Sequence, residues 1–234
     1  MPAYFQDIGA DPSWPVEATR RMNRMYRRQR HIYDGTRRYY LLGREQMISR
    51  LRPETGTSVL EIGCGTGRNL VLAARLYPDA RFFGIDVSTE MLTTAIAAIS
   101  RAGLNSRVRV AHGDGTAFDP NRLFGIPQFD HVMISYSLSM IPDWRRVLGA
   151  AVVHLKPGSR LHVVDFGRQQ RWPGIARTLL RRWLAMFDVT PRDDLEQVLS
   201  AMADGSGARL RFERPFRDYA QYGVLTFPAE PRTP

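Results

Sequence analysis

The chain has 234 residues, of which 44% are hydrophobic and 24% are charged, a length and composition that suit one globular α/β domain with a modest extension. Its apolar runs are short, and its first residues lack the basic start and apolar stretch of a secretory leader, so we expect a cytoplasmic protein without a membrane-spanning helix. The net charge of +10 at pH 7 fits an anionic partner, either nucleic acid or anionic lipid, and fits equally a coding preference for arginine.

Residues 1–52 are predicted to form an arm and basic amphipathic helices that cap the rest of the chain. Residues 1–15 show no regular period, but the residues after them place apolar and aromatic side chains at helical spacing. Gly35 is expected to break this helix, and residues 39–51 to restart it. Residues 20–52 contain 11 arginines against two acidic residues. The pattern suits both packing over a core and contact with an anionic membrane surface.

The remaining domain, residues 53–234, is predicted to be built on one motif, SVLEIGCGTG at residues 58–67. Its apolar, β-branched start is typical of a buried parallel strand, and its three glycines allow a sharp turn that a ligand can approach closely. Residues 69–76 resume with helical spacing, which places the N–H groups of a helix N-terminus beside that turn. Arg81–Asp86 is predicted as the next strand. Asp86 follows Gly67 by 19 residues, which suits a carboxylate that accepts hydrogen bonds from ribose hydroxyls.

The rest of the chain predicts alternating strands and helices that end in two antiparallel strands. Ser88 is expected to cap a helix that Gly103 closes. The further predicted helices are 144–155 and 173–189, and the predicted strands are 107–111, Phe129–Ser135, 161–166, 208–213 and 219–227. The helix at 173–189 is amphipathic, so it is expected to cover the site, contact a bilayer, or do both.

Two residue types with reactive side chains are interpreted as structural. The single Cys64 has no disulfide partner within the chain and lies inside the glycine turn, where a small side chain packs. The five histidines lack the spacing of metal ligands, so no metal is expected.

The glycine turn resembles the first motif of class I S-adenosylmethionine-dependent methyltransferases, E/D-x-G-x-G-x-G, rather than the GxGxxG of dinucleotide-binding domains. The resemblance covers about residues 57–227. It implies a Rossmann-like α/β fold with a seven-stranded, mostly parallel sheet, helices on both faces and an N-terminal helical extension. It also implies S-adenosylmethionine as cofactor and S-adenosylhomocysteine as its product.

The resemblance implies a set of cofactor-binding residues, in which the loop wraps the methionine part, the acidic end of the second strand binds the ribose, and Asp114 meets the adenine amino group. The set is Glu61, Gly63, Cys64, Gly65, Thr66, Gly67, Asn69, Asp86, Val87, Met91, Asp114, Gly115, Thr116 and Ser135. After the fourth predicted strand the chain has SYSL where methyltransferases of nucleobases and glutamine amides have N/D-P-P-Y/F. This departure argues against a nucleic-acid acceptor.

Residues 31–45, HIYDGTRRYYLLGRE, resemble the N-terminal region of the methyltransferases that convert diacylglyceryl-homoserine into the betaine lipid diacylglyceryl-trimethylhomoserine. This resemblance implies three successive N-methylations of a lipid headgroup amine. Aromatic faces stabilise the resulting cation, and Tyr33, Tyr40 and Tyr136 are the candidates for aligning the substrate. The expected partners are a lipid at the anionic inner face of the membrane, where the protein would be peripherally bound, and the enzyme that makes diacylglyceryl-homoserine.

Three alternatives stay open from the sequence. The acceptor could be phosphatidylethanolamine, or a soluble small molecule methylated at an amine, carbon or hydroxyl. A distant alternative is a basic nucleic-acid-binding protein that keeps the methyltransferase fold without its activity.

Overall fold

The computed structural model describes residues 41–229, and the structural statements below concern that part of the chain. Of the predicted cap, only residues 41–52 fall within it, so the cap and its role stay predictions. Tyr33 and Tyr40 lie outside the described residues.

The described residues form one mostly parallel sheet of seven strands, which confirms the predicted fold class. The strands are β1 Ser58–Ile62, β2 Arg81–Asp86, β3 Val108–His112, β4 Phe129–Ser135, β5 Leu155–Phe166, β6 Arg209–Glu213 and β7 Ala220–Thr226. Their order is β3-β2-β1-β4-β5-β7-β6, and only β7 runs in the direction opposite to the other strands. The chain moves outward from β1 to β3 and then returns to β4 on the other side of β1. Ligands of open α/β sheets bind outside the carboxyl ends of the strands at such a reversal.

Helices cover both faces of the sheet. They are α1 Arg44–Leu51, α2 Arg68–Leu76, α3 Thr89–Arg101, α4 Pro120–Phe124, α5 Trp144–Val153, α6 Gly174–Ala185, α7 Leu195–Ser206 and the single turn α8 Pro215–Asp218, with a 3₁₀ helix at Leu138–Met140. Successive residues of β1 alternate between two buried clusters: Val59 joins the one under α1 and α2, and Leu60 joins the one under α5 and α7. All five residues of β1 are buried, as predicted for a central parallel strand.

Several predicted boundaries are wrong for identifiable reasons. The helix predicted at residues 39–51 begins only at Arg44, because Gly43 before it has a left-handed backbone (φ 91°). The strand predicted at residues 161–166 begins already at Leu155, which pairs with Phe129 before the register shifts, so the helix predicted at residues 144–155 ends at Val153. The helix predicted at residues 173–189 ends at Ala185. Helices α4 and α7 were not predicted from the sequence.

Close packing between β2 and the helix after the glycine turn depends on Gly84. A Cβ at this position would lie 2.6 Å from Leu70 Cδ1 and 2.9 Å from Cys64 Sγ. We predict that Gly84→Ala lowers the free energy of unfolding by about 1–3 kcal/mol, the usual cost of overpacking. The control is Gly149→Ala on the exposed side of α5, where a Cβ meets nothing within 4 Å. Urea unfolding checks the pair, and equal stabilities of the two variants would contradict the packing argument.

Candidate functional site

The glycine turn after β1 is closed onto the end of β2 by main-chain hydrogen bonds. The N–H groups of Gly63 and Cys64 both donate to the carbonyl of Ile85, at 2.9 and 3.0 Å. Gly63 and Gly67 have φ of 73° and 72°, and a Cβ on Gly63 would lie 2.6 Å from that of Ser137. Both positions therefore require glycine, for conformation and for space.

Asp86, at the end of β2, connects the glycine turn with the start of α3. One carboxylate oxygen accepts a hydrogen bond from the N–H of Gly65 at 2.8 Å, and the other accepts from the N–H of Ser88 at 2.9 Å. Ser88 in turn caps α3 as predicted, because its Oγ accepts a hydrogen bond from the N–H of Met91 at 3.3 Å. The side chain of Asp86 thus fixes the loop and also forms part of the cavity wall.

A cavity of about 390 Å³ opens at the carboxyl edge of the sheet, beside β1 and β4. Most of the predicted cofactor residues line it, namely Glu61, Gly63, Cys64, Gly65, Thr66, Asn69, Asp86, Val87, Met91, Gly115 and Ser135. Gly67, Asp114 and Thr116 lie outside the lining. The carboxylate of Asp114 accepts hydrogen bonds from the N–H of Thr116 at 2.8 Å and from its hydroxyl, so it shapes the turn after β3.

Two buried oxygen atoms of the lining have no hydrogen-bond partner among the described residues: Glu61 Oε2 and Ser135 Oγ. The other oxygen of Glu61 accepts from Asn69 Nδ2 at 2.7 Å. Burial raises the pKa of Glu61 from its usual 4.5 to about 8, although the charge of Arg44 in the same cavity lowers it. Buried polar atoms are normally paired, so these two mark a place for a ligand with hydrogen-bond donors.

Cys64 is buried within this site, and burial raises the pKa of its thiol well above the ordinary value. Reactive cysteines have a lowered pKa, so the thiol at this position remains protonated and packs against its neighbours. This agrees with the interpretation drawn from the sequence.

Of the three tyrosines predicted to align a substrate, the described residues include only Tyr136. It lines the cavity, but its hydroxyl donates a hydrogen bond to the main-chain carbonyl of Leu42. Its φ of 54° is uncommon for an aromatic residue and costs on the order of 1–2 kcal/mol. Tyr136 therefore braces the segment before α1 against the end of β4.

Sequence reasoning missed the residues that hold the loop after β4. The 3₁₀ helix brings Met140 to the cavity, and Ile141 follows it. Arg192, far along the chain, donates to the carbonyls of Leu138 and Ile141 at 2.9 and 2.8 Å. On the other side the N–H of Ser139 donates to the buried carboxylate of Asp165 at 3.0 Å. These contacts bridge distant parts of the chain and leave no local pattern in the sequence.

No cluster of three or more potential metal-ligating side chains occurs between residues 41 and 229. Within the same range, no helix is long and apolar enough to cross a bilayer.

Residues 60–161 match the family model described as a methyltransferase domain, a span that runs from β1 into β5 and includes the glycine turn and Asp86. The demethylmenaquinone methyltransferase of Listeria monocytogenes serotype 4a (strain HCC23) is 30% identical over 123 residues, which are 52% of this chain and 50% of that protein. The chain spans about half the length of the curated relatives it matches.

Solved structures share the fold. The plantazolicin methyltransferase BpumL, in complex with a monoazolic desmethylPZN analogue and S-adenosylhomocysteine, superposes with a TM-score of 0.67 at 17% identity, over 91% of this chain and 96% of that one. Phosphoethanolamine N-methyltransferase 2 of Haemonchus contortus, in complex with S-adenosyl-L-methionine, gives 0.61 at 18% identity, over 79% and 52%. The chain thus has the class I methyltransferase fold, as its glycine motif predicted.

The raised pKa of Glu61 predicts how the free energy of unfolding changes with pH. Its pKa of about 8 means that the folded protein keeps a proton that the unfolded chain loses near pH 4.5, so stability falls as the pH rises between these values. In Glu61→Gln this fall should be smaller by roughly 2–4 kcal/mol between about pH 5 and pH 8. Urea unfolding of both proteins at the two pH values measures it. Asp165, with a pKa raised to about 6 by burial, contributes equally to both. An equal change in the free energy of unfolding with pH in the two proteins would contradict the raised pKa of Glu61.

Proposed function

We propose that this chain, which carries a methyltransferase domain of the class I fold, binds S-adenosylmethionine in the cavity beside the glycine turn and transfers its methyl group to the amine of a lipid headgroup. The proposal that the cavity binds this cofactor rests on the carboxylate oxygen of Glu61 that is buried without a hydrogen-bond partner in the cavity lining. The cofactor would supply a methyl group activated on a positively charged sulfur.

The cavity fits the groups of this cofactor. An ammonium donor at Glu61 Oε2 would satisfy the buried acceptor and favour the ionised carboxylate, with Asn69 holding the other oxygen. Asp86 stands at the strand end where a ribose is expected, and the turn offers closely approachable main chain. The residues named here would therefore hold the methionine part and the sugar.

The residues after β4 would serve the transfer step by alignment and by exclusion of water. Methyl transfer needs the acceptor in line with the methyl group, and it gains from a dry site. Met140 and Ile141 present apolar side chains to the cavity, and Tyr136 fixes the neighbouring main chain. A neutral amine requires no strong base, so orientation would be the main contribution of these residues.

A lipid acceptor is supported by the exposed face of α6, which follows the carboxyl end of β5 at the edge of the sheet where the cavity opens. Ile175, Leu179 and Met186 share this face and are 80%, 61% and 73% exposed. Arg182 is exposed and lies on the same stripe. Apolar side chains flanked by arginine suit a helix lying on an anionic bilayer. The protein would thus sit peripherally on the inner face of the membrane.

The proposed acceptor is diacylglyceryl-homoserine, methylated three times to diacylglyceryl-trimethylhomoserine, on the strength of the resemblance at residues 31–45. The enzyme that makes this acceptor would be a partner. Phosphatidylethanolamine and soluble small molecules remain the alternatives. The name of the Listeria relative favours a second candidate, a lipophilic acceptor of the demethylmenaquinone type.

The test is incubation of the protein with methyl-labelled S-adenosylmethionine and vesicles that contain diacylglyceryl-homoserine, phosphatidylethanolamine or demethylmenaquinone, followed by separation of the labelled lipids. We expect label in mono-, di- and trimethylated homoserine lipid and none in the other acceptors. Label in another lipid, or only in a soluble amine, would overturn the acceptor and leave the methyltransferase assignment standing. Cofactor binding without label in any acceptor would overturn the activity.

The double substitution Ile175→Ser with Leu179→Ser tests the membrane face in the same assay. Activity on vesicles should fall about tenfold or more, because the apolar area that contacts the bilayer is lost, whereas activity on acceptor dispersed in detergent should be kept. The matched control is Ile96→Ser with Val153→Ser, which removes exposed apolar side chains from α3 and the end of α5. Equal losses in the two pairs would contradict a specific role of α6.

A further inference from the structure

A second concave site lies on the sheet face under α1, away from the cofactor cavity. It has a volume of about 550 Å³, and its lining includes five arginines: Arg50, Arg52, Arg160, Arg209 and Arg211. No carboxylate occurs among the described residues that line it. We propose that this groove, called the arginine groove below, binds a phosphate-bearing ligand.

The strand register places the arginines of the groove side by side. Thr226 of β7 pairs with Arg160 of β5 on one side and with Arg209 of β6 on the other. The next row on the same face consists of His162, Val224 and Arg211. Since neighbouring strands are about 4.8 Å apart, Arg160 and Arg209 stand roughly 10 Å apart across the middle strand. Two rows of one sheet face thus direct guanidinium groups into the same space.

Charge in the groove is only partly compensated. Glu213, beside it, is shared by Arg50 at 2.8 Å and Arg211 at 2.7 Å. The side chains of Arg52, Arg160 and Arg209 have no ion pair with any residue between 41 and 229. Like charges gathered around one space repel one another. This arrangement therefore favours an anion that bridges them.

The floor of the groove contains a buried polar atom that lacks a partner. His162 is 1% exposed and lines the groove, and its Nδ1 lies 3.0 Å from the hydroxyl of Tyr222. Its other nitrogen, Nε2, is buried without a hydrogen-bond partner among the described residues. Together with the hydroxyls of Thr226 and Tyr222, it adds neutral polar groups to the charged wall.

Phosphate is the anion that this chemistry suits best. Guanidinium groups form paired, charge-assisted hydrogen bonds to phosphate oxygens, and several arginines around one space favour a doubly charged group over a carboxylate. The volume exceeds that of a bare phosphate ion, so a phosphate ester fits, whether it is a soluble metabolite or a phospholipid headgroup.

Helix α1 connects the groove with the cofactor cavity. Arg44 at its first turn lines the cavity, and Arg50 in its last turn lines the groove. Six residues of α-helix span about 9 Å, so the two sites are separate but share one rigid element. An anion that joins Arg50 and Arg52 to the sheet would hold α1 in place and, with it, Arg44 in the cavity.

The test uses the full chain and two phosphate sources, without cofactor or methyl acceptor, so its result does not depend on the proposed activity. Glycerol 3-phosphate is titrated by calorimetry, and vesicles of phosphatidylcholine with phosphatidic acid are used in cosedimentation. We expect saturable binding in at least one arm, and we expect Arg160→Gln with Arg209→Gln to weaken it about tenfold or more. If the double variant binds glycerol 3-phosphate more weakly, the ligand is a free phosphate ester. If it is weakened only in binding to vesicles, the ligand is a lipid headgroup.

The matched control is Arg75→Gln with Arg122→Gln, which removes the same charge from exposed positions on α2 and α4. The affinity of this control variant should stay within about twofold of the wild type, because binding in the groove does not involve these two arginines. Non-specific attraction depends on total charge and would be weakened equally by both pairs of substitutions. Circular dichroism checks that both pairs fold. Equal weakening in the two pairs, or no saturable binding in either arm, would overturn the proposal.

Discussion

The site depends on one constraint, a carboxylate buried at the end of the central strand without enough partners. Glu61 is 1% exposed, and one of its oxygens is unpaired while burial raises its pKa to about 8. Such a group costs folding free energy, and proteins keep groups of this kind where a ligand compensates them. The neighbouring glycine turn leaves the main chain open to that ligand. In the proposed function, cofactor binding and the local loss of stability thus have the same origin.

Other features hold the surroundings of Glu61 in place. Asp86 joins the glycine turn to the start of α3, and Tyr136, in a strained backbone conformation, holds the main chain at Leu42. Arg192 anchors the loop after β4 from the far side. Each of these contacts connects elements that are distant in the chain, so the cavity forms only when these elements have come together. Helix α1 extends the same rigid frame to the arginine groove.

The parts of the fold that the sequence predicted are those with a local cause. The strand before Gly63, the glycine turn and Asp86 lie within 29 residues and follow from alternation, glycine spacing and strand-end position. Most of the residues predicted to bind the cofactor line one cavity. The roles of Tyr136 and Arg192 could not be predicted, because their hydrogen-bond partners are 94 and about 50 residues away and tertiary packing alone brings them close. The arginine groove likewise arises from strand register, which the sequence does not state.

The most direct test of the central claim is calorimetric titration of S-adenosylhomocysteine at about pH 7 in buffers of different ionisation enthalpy. At this pH most of Glu61 is protonated in the unliganded protein, so pairing with the ligand ammonium should release close to one proton. Glu61→Gln should bind more weakly and release almost none. Tight binding without proton release, or the same release from the variant, would contradict the assignment of Glu61 as the anchor of the cofactor.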